Sequence, residues 1–159
     1  MRKFLLGLTV AVLAAKPAAA DDSDRLYGAW KLVSLVIEDA ETKQKKPLLG
    51  EHPKGYLILL PSGRMSAIVT AEGRATPRND AERVAAFQSI FAYSGKFRLE
   101  GDKFITKVDA AWNEAWVGTD QIRTYKLAGD KLDIVSMTQP NVNFGNRMMT
   151  AILSWEREN

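Results

Sequence analysis

The sequence predicts an all-β chain folded as an eight-stranded antiparallel up-and-down lumen-forming barrel, and three observations predict it. Short runs rich in β-branched and large apolar residues recur along the chain, most of them joined by tight glycine turns. A hairpin pattern occurs twice, as Phe97-Arg98-Leu99-Glu100-Gly101-Asp102-Lys103-Phe104 and again as Tyr125-Lys126-Leu127-Ala128-Gly129-Asp130-Lys131-Leu132. One segment alone, about 80–92, reads as a helix. Eight strands in succession with short connections form a sheet long enough to close on itself and remove its edges. A two-sheet sandwich is the rival arrangement.

Taken in order, residues 26–37 form the first strand, which opens with Gly28-Ala29-Trp30. Residues 55–60 and 64–70 form the second and third, which meet across Pro61-Ser62-Gly63. Asn79 followed three residues later by Glu82 fits a helix N-cap, and Val84, Phe87 and Phe91 recur at helical spacing, so the helix stands between strands three and four. The two equivalent hairpins, each turning at Gly-Asp, supply strands four to seven. The eighth, 147–156, ends in Trp155 and is reached through the irregular loop 139–146. Strand one carries apolar residues on both faces (Val33, Leu35 and Ile37 against Trp30, Leu32 and Val36), so its outside needs cover; the helix is the first choice and a homodimer the second.

Residues 1–20 read as a signal peptide, with Arg2 and Lys3, an apolar stretch from Phe4 to Ala15, and Ala18-Ala19-Ala20 before the cleavage point. The apolar stretch falls short of the ~20 residues that span a bilayer, so stable membrane insertion is not expected. The domain division is therefore 1–20 signal peptide and 21–159 barrel, with export to the periplasm or the extracellular space. The signal carries Arg2, Lys3 and Lys16 and no acid, so the mature chain has 19 basic and 19 acidic residues. That balance lacks the cationic field of a nucleic-acid binder. With no cysteine in the chain, stability has to come from the core rather than from disulfides.

The first repeated hairpin places Phe97, Leu99, Phe104, Thr106 and Val108 on one face and Lys96, Arg98, Glu100, Lys103 and Lys107 on the other, so the first set looks inward. Transferred to the second hairpin, the same register puts Tyr125, Leu127, Leu132, Ile134 and Ser136 inside, and counting back by twos adds Arg123, Gln121 and Thr119. An arginine inside a barrel calls for a partner: an internal carboxylate, an anionic group on a ligand, or escape to the rim beside Glu114 or Asp120.

The chain resembles the bacterial lipocalin-like domain family, of the calycin type, through Leu26-Tyr27-Gly28-Ala29-Trp30-Lys31-Leu32-Val33-Ser34, Pro53-Lys54-Gly55-Tyr56-Leu57, Gly63-Arg64-Met65-Ser66-Ala67, Ala92-Tyr93-Ser94-Gly95 and Trp112-Asn113-Glu114-Ala115-Trp116-Val117-Gly118. The resemblance implies an eight-stranded barrel with a ligand-sized lumen. It further implies that Trp30 closes one barrel end under a basic residue from the last strand, for which Arg157 is the candidate.

The expected function is binding of a small, mostly apolar or amphipathic molecule whose polar or acidic end meets Arg123. Trp112 and Trp116 would grip it at the mouth, and Tyr125, Tyr56, Met65, Tyr93, Phe97 and Gln121 are further candidates for the wall. An enzyme using the barrel as a reaction chamber would need an acid or base such as Glu114, Asp109, Tyr125 or His52 facing the lumen. A filled barrel with a structural role is the third reading, separated from the others by cavity volume. No catalytic residue, metal set or cofactor motif is assigned: His52, the single histidine, has no second His or Cys with which to form a zinc site.

Overall fold

The structure, a computed structural model, describes residues 22–141 and 144–158; the signal peptide expected over 1–20 lies outside them. A short helix α1 (Ser23–Leu26) leads into β1 (Gly28–Asp39), followed by β2 (Lys45–Pro47), β3 (Lys54–Leu59), β4 (Arg64–Thr70), helix α2 (Asp80–Gln88), β5 (Ile90–Glu100), β6 (Lys103–Ala111), a 3-10 turn (Glu114–Trp116), β7 (Asp120–Ala128), β8 (Lys131–Ser136), β9 (Gln139–Asn141) and β10 (Arg147–Arg157). Neighbouring strands pair antiparallel, and β1 returns to pair with β10. Closure therefore involves eight strands, β1, β3 to β8 and β10. The three-residue β2 and β9 are short ribbons laid on β1 and β10 at one end. They are too brief to announce themselves in the sequence, and β2 shifts the numbering so that α2 falls between β4 and β5.

The two hairpins of equal pattern turn as expected. Glu100 pairs with Lys103 across Gly101-Asp102, and Ala128 with Lys131 across Gly129-Asp130. Both glycines sit in the left-handed region, at φ 62° and 60°, which the two-residue hairpin turn requires and a side chain resists.

One barrel end is packed solid. Leu26, Trp30, Leu57, Leu59, Met65, Phe104 and Leu132 are all buried there, and each large side chain taken from water stabilises the fold by roughly 1.5–3 kcal/mol. The Trp30 indole N–H donates to the Leu26 carbonyl at 2.8 Å, which anchors α1 across the end. The Arg157 guanidinium lies over the Trp30 ring with Cζ 4.2 Å from its centroid. It also donates to the carbonyls of Tyr27, at 2.9 Å, and Arg25. The last strand thus clasps the first.

The two-faced apolar pattern of strand one has a different cause from the one expected. A β-bulge falls between Leu32 and Ser34 in the pairing with β10, so one extra residue is inserted and the inward face changes parity. Trp30 and Leu32 before the bulge, and Leu35 and Ile37 after it, are all buried, while Val33 at the bulge is 55% exposed. Little apolar surface is left outside β1 to cover. The helix does not cover it: α2 packs against β5, and none of its residues is buried. It is also shorter than expected, ending at Gln88 because Ile90 and Phe91 join β5, opposite Thr70 and Val69. Its N-cap is as expected, with the Asn79 side chain accepting from the Glu82 amide at 2.9 Å.

Candidate functional site

The barrel half away from Trp30 is hollow. A cavity of about 380 Å³ lies among β1, β3, β4, β5, β7, β8, β9 and β10, within the range of ligand pockets. Its walls are mostly aliphatic, drawn from residues such as Leu35, Ile37, Leu57, Ile134 and Leu153, with Trp155 behind them. Leu48 and Leu49 reach over the mouth from the segment after β2. They are tied down by hydrogen bonds from the Leu48 amide to the Leu35 carbonyl (3.1 Å) and from the Glu72 amide to the Leu49 carbonyl (2.9 Å).

One wall is aromatic. Phe91 and Tyr93 project from β5, and the loop 112–119 brings Trp112 and Trp116 beside them. The rings meet edge to face: Trp112 and Trp116 are 4.9 Å apart between centroids, Tyr93 and Trp116 5.4 Å, and Phe91 and Trp112 6.4 Å in a tilted pair. Such pairs add about 0.5–1.5 kcal/mol each beyond their burial. The loop is fixed at both ends by hydrogen bonds from the Trp112 amide to the Ala92 carbonyl (2.8 Å) and from the Gly118 amide to the Val108 carbonyl (2.9 Å). Asn113 caps its 3-10 turn by accepting from the Ala115 amide at 3.1 Å.

Arg123 enters this cavity from β7. The register is unbroken from Lys103–Thr124 to Lys107–Asp120, so Arg123 pairs with buried Phe104 on one side and with Ser136 on the other, facing inward as the hairpin repeat predicts. Its hydrogen-bond partners are neutral: the Ile122 carbonyl at 2.9 Å and the Gln121 Oε1 at 2.9 Å. Among the described residues no carboxylate pairs with it; Asp120 is engaged instead with Arg98 and Lys107 on the outside. Burial lowers the Arg123 pKa from its ordinary value, with Tyr93 opposing that shift more weakly. Burial likewise raises the Tyr93 hydroxyl above its ordinary value, against a smaller pull from the Arg123 charge. Tyr93 is therefore a protonated phenol at neutral pH, a hydrogen-bond donor beside a cation.

Of the residues singled out from sequence, Arg123, Trp112, Trp116 and Tyr93 come together around the cavity. Gln121 stands behind Arg123 and holds it. Tyr125 and Phe97 pack against the core beneath, and Phe97 stacks on Phe104 at 5.1 Å. Met65 is 1% exposed within the closed end, so these three are packing rather than open wall. Tyr56 stands outside: β3 alternates exposed and buried residues, Gly55, Leu57 and Leu59 take the inner positions, and Tyr56 is 42% exposed. The four acid or base candidates do not line the cavity. Asp109 binds Arg64 at 2.5 Å on the surface, Glu114 and His52 are exposed, and Tyr125 packs beneath. Residues the sequence reading missed, such as Leu48, Ile90, Met149 and Ala151, belong to the mouth, where pairing at strand ends and loop paths decide who faces in.

An eight-stranded barrel closed at one end by a tryptophan under an arginine, and hollow at the other, defines a lumen-type barrel whose architecture suggests small-molecule binding. The chain belongs to the lipocalin-like domain family, whose model matches residues 27–158. No curated protein matches the chain.

Proposed function

We propose that this protein is an exported carrier or sequestering protein that holds a small, mostly apolar molecule in the open half of its barrel, with an acidic or strongly polar end of that molecule against Arg123. The carrying observation is the inward guanidinium on an otherwise largely aliphatic and aromatic cavity wall, matched by neutral partners only. A half-buried cation without a counter-ion is costly to keep, so an anion that enters and pairs with it gains a charge-assisted contact. Tyr93 supplies a second donor next to it, and the Trp112–Trp116 pair offers flat apolar surface at the mouth. A cavity of about 380 Å³ speaks against a filled barrel with a purely structural role. Export is supported by the basic, apolar and small-residue succession of residues 1–20.

The test is calorimetric titration with a matched pair, decanoate and decanol, on the native chain and on Arg123→Met. The native protein should bind the acid at least about tenfold more tightly than the alcohol, and Arg123→Met should erase that preference while keeping the alcohol's affinity. Equal affinity for acid and alcohol in the native protein would remove the anion part of the reading. No binding of either would remove the whole of it.

A further inference from the structure

Arg123 is the head of a hydrogen-bonded chain that leads out of the barrel. Its Nη2 donates to Gln121 Oε1 at 2.9 Å. Gln121 Nε2 donates to Thr119 Oγ1 at 2.9 Å, and Thr119 Oγ1 donates to the Trp116 carbonyl at 2.7 Å. The last link fixes the direction of all the others: the hydroxyl has spent its proton on a carbonyl, so it must accept from Gln121, and the amide oxygen must therefore face the guanidinium. Every group donates away from the cation. Aligned dipoles of this kind polarise one another and stabilise a half-buried positive charge without cancelling it.

Position 121 is where cancellation would occur. A glutamate differs from glutamine by the terminal group alone, and at this register it would set a carboxylate oxygen at ion-pairing distance from Nη2, neutralising the lumen from within. We infer that Gln121 is the specificity-determining residue of this cavity: its neutral amide orients Arg123, through Thr119 and the loop that carries Trp116, while leaving the full positive charge for an anionic ligand. Gln121 is a positioning residue, since it acts through Arg123. The inference rests on the reading of the cavity as an anion-accepting binding site.

The experiment uses two fluorescent probes with one skeleton, 8-anilinonaphthalene-1-sulfonate and the uncharged N-phenyl-1-naphthylamine. Affinities are measured by fluorescence titration on the native chain and on Gln121→Glu, Gln121→Leu and Arg123→Met, each variant first shown to unfold cooperatively in urea. Native protein should prefer the sulfonate. Gln121→Glu should weaken the sulfonate by about tenfold or more and leave the neutral probe within about threefold, reversing the order. Gln121→Leu, which removes the orienting amide without supplying a charge, should narrow the sulfonate's lead but keep the native order. If Arg123→Met weakens the sulfonate but Gln121→Glu does not, the role of Gln121 is overturned while the anion site stands. If Arg123→Met leaves the sulfonate unchanged, the anion site itself is overturned and the inference falls with it. Loss of the sulfonate preference in both Gln121 variants would also overturn it, because a disturbed wall rather than an added charge would then be the cause.

Discussion

Arg157 and Trp30, 127 residues apart in the numbering, are stacked with the guanidinium carbon 4.2 Å from the ring centroid. Because Trp30 is near the start of the first barrel strand and Arg157 is the last residue of the final one, the contact locks the seam at which the sheet closes. Arg157→Met keeps the stem over the ring but removes the charge and the donors to the Tyr27 and Arg25 carbonyls. The expected loss is about 1–3 kcal/mol in urea-induced unfolding, with the denaturant slope unchanged. Decanoate binding should be unaffected, since the seam lies at the end remote from the cavity.

Gly95 marks a second bulge, where the β5–β6 register shifts between Ser94 and Gly95. A Cβ at this position would collide with the Lys107 carbonyl oxygen, a backbone atom that cannot swing away. Gly95→Ala should therefore cost about 2 kcal/mol. Gly118 offers the contrast: its φ of 80° disfavours a side chain, but nothing lies within 4 Å of where one would go, so Gly118→Ala should cost about 1 kcal/mol. Thermal unfolding of the pair should rank them in that order; equal costs would show that the bulge relaxes.

Asp39 gives the protein an acid-sensitive joint. The residue is 4% exposed, and the Thr42 amide at 2.8 Å, then the Glu41 amide at 3.0 Å, and Arg147 at 2.6 Å hold its carboxylate pKa below the usual value against the opposing effect of burial. A depressed folded-state pKa contributes stability above the unfolded-state value, and that contribution is lost as pH falls through the folded-state value. The stability difference between native protein and Asp39→Asn should thus be constant near neutrality and shrink once pH drops below about 4. A difference that held constant into the acid range would assign the loss to shape rather than charge.

The half-buried Arg123 cation, proposed to serve binding, works against stability. Replacing Arg123 by methionine fills similar space with an apolar chain and removes a desolvated charge that has no carboxylate partner, so the free protein should gain about 1 kcal/mol while losing its preference for acids. Destabilisation of the unliganded protein by this substitution would indicate that the Gln121 and Ile122 contacts outweigh the desolvation they offset.

Much of the fold was legible in the sequence because the relevant signals are local. The hairpin repeat carries its own turn glycines and its own alternation, so inward and outward faces could be assigned over 97–108 and 119–136, and Arg123 followed by counting. In β3 the same logic had nothing to hold: Tyr56, Leu57, Ile58 and Leu59 are all apolar, and pairing with β4 alone decides that Tyr56 looks out. Strand one misled for a related reason, since a bulge converts one inward face into an apparent pair of faces. The aromatic wall was half visible. Trp112 and Trp116 announced a loop, but Phe91 reads equally well as the last turn of a helix until β5 claims it by pairing Phe91 with Val69. The mouth segment at Leu48 and Leu49 gave no signal, because its path is set by long-range hydrogen bonds to Leu35 and Glu72.

An anionic group seated directly on the inward guanidinium, as proposed, is read most directly by the Arg123 side-chain Nε–H resonance of the ¹⁵N-labelled protein. On titration with decanoate, with the resonance assigned by its absence in Arg123→Met, it should shift and saturate with the dissociation constant found by calorimetry. Decanol should bind and leave it nearly in place. Binding of decanoate that saturates by calorimetry while the Arg123 resonance stays where it was would contradict the account.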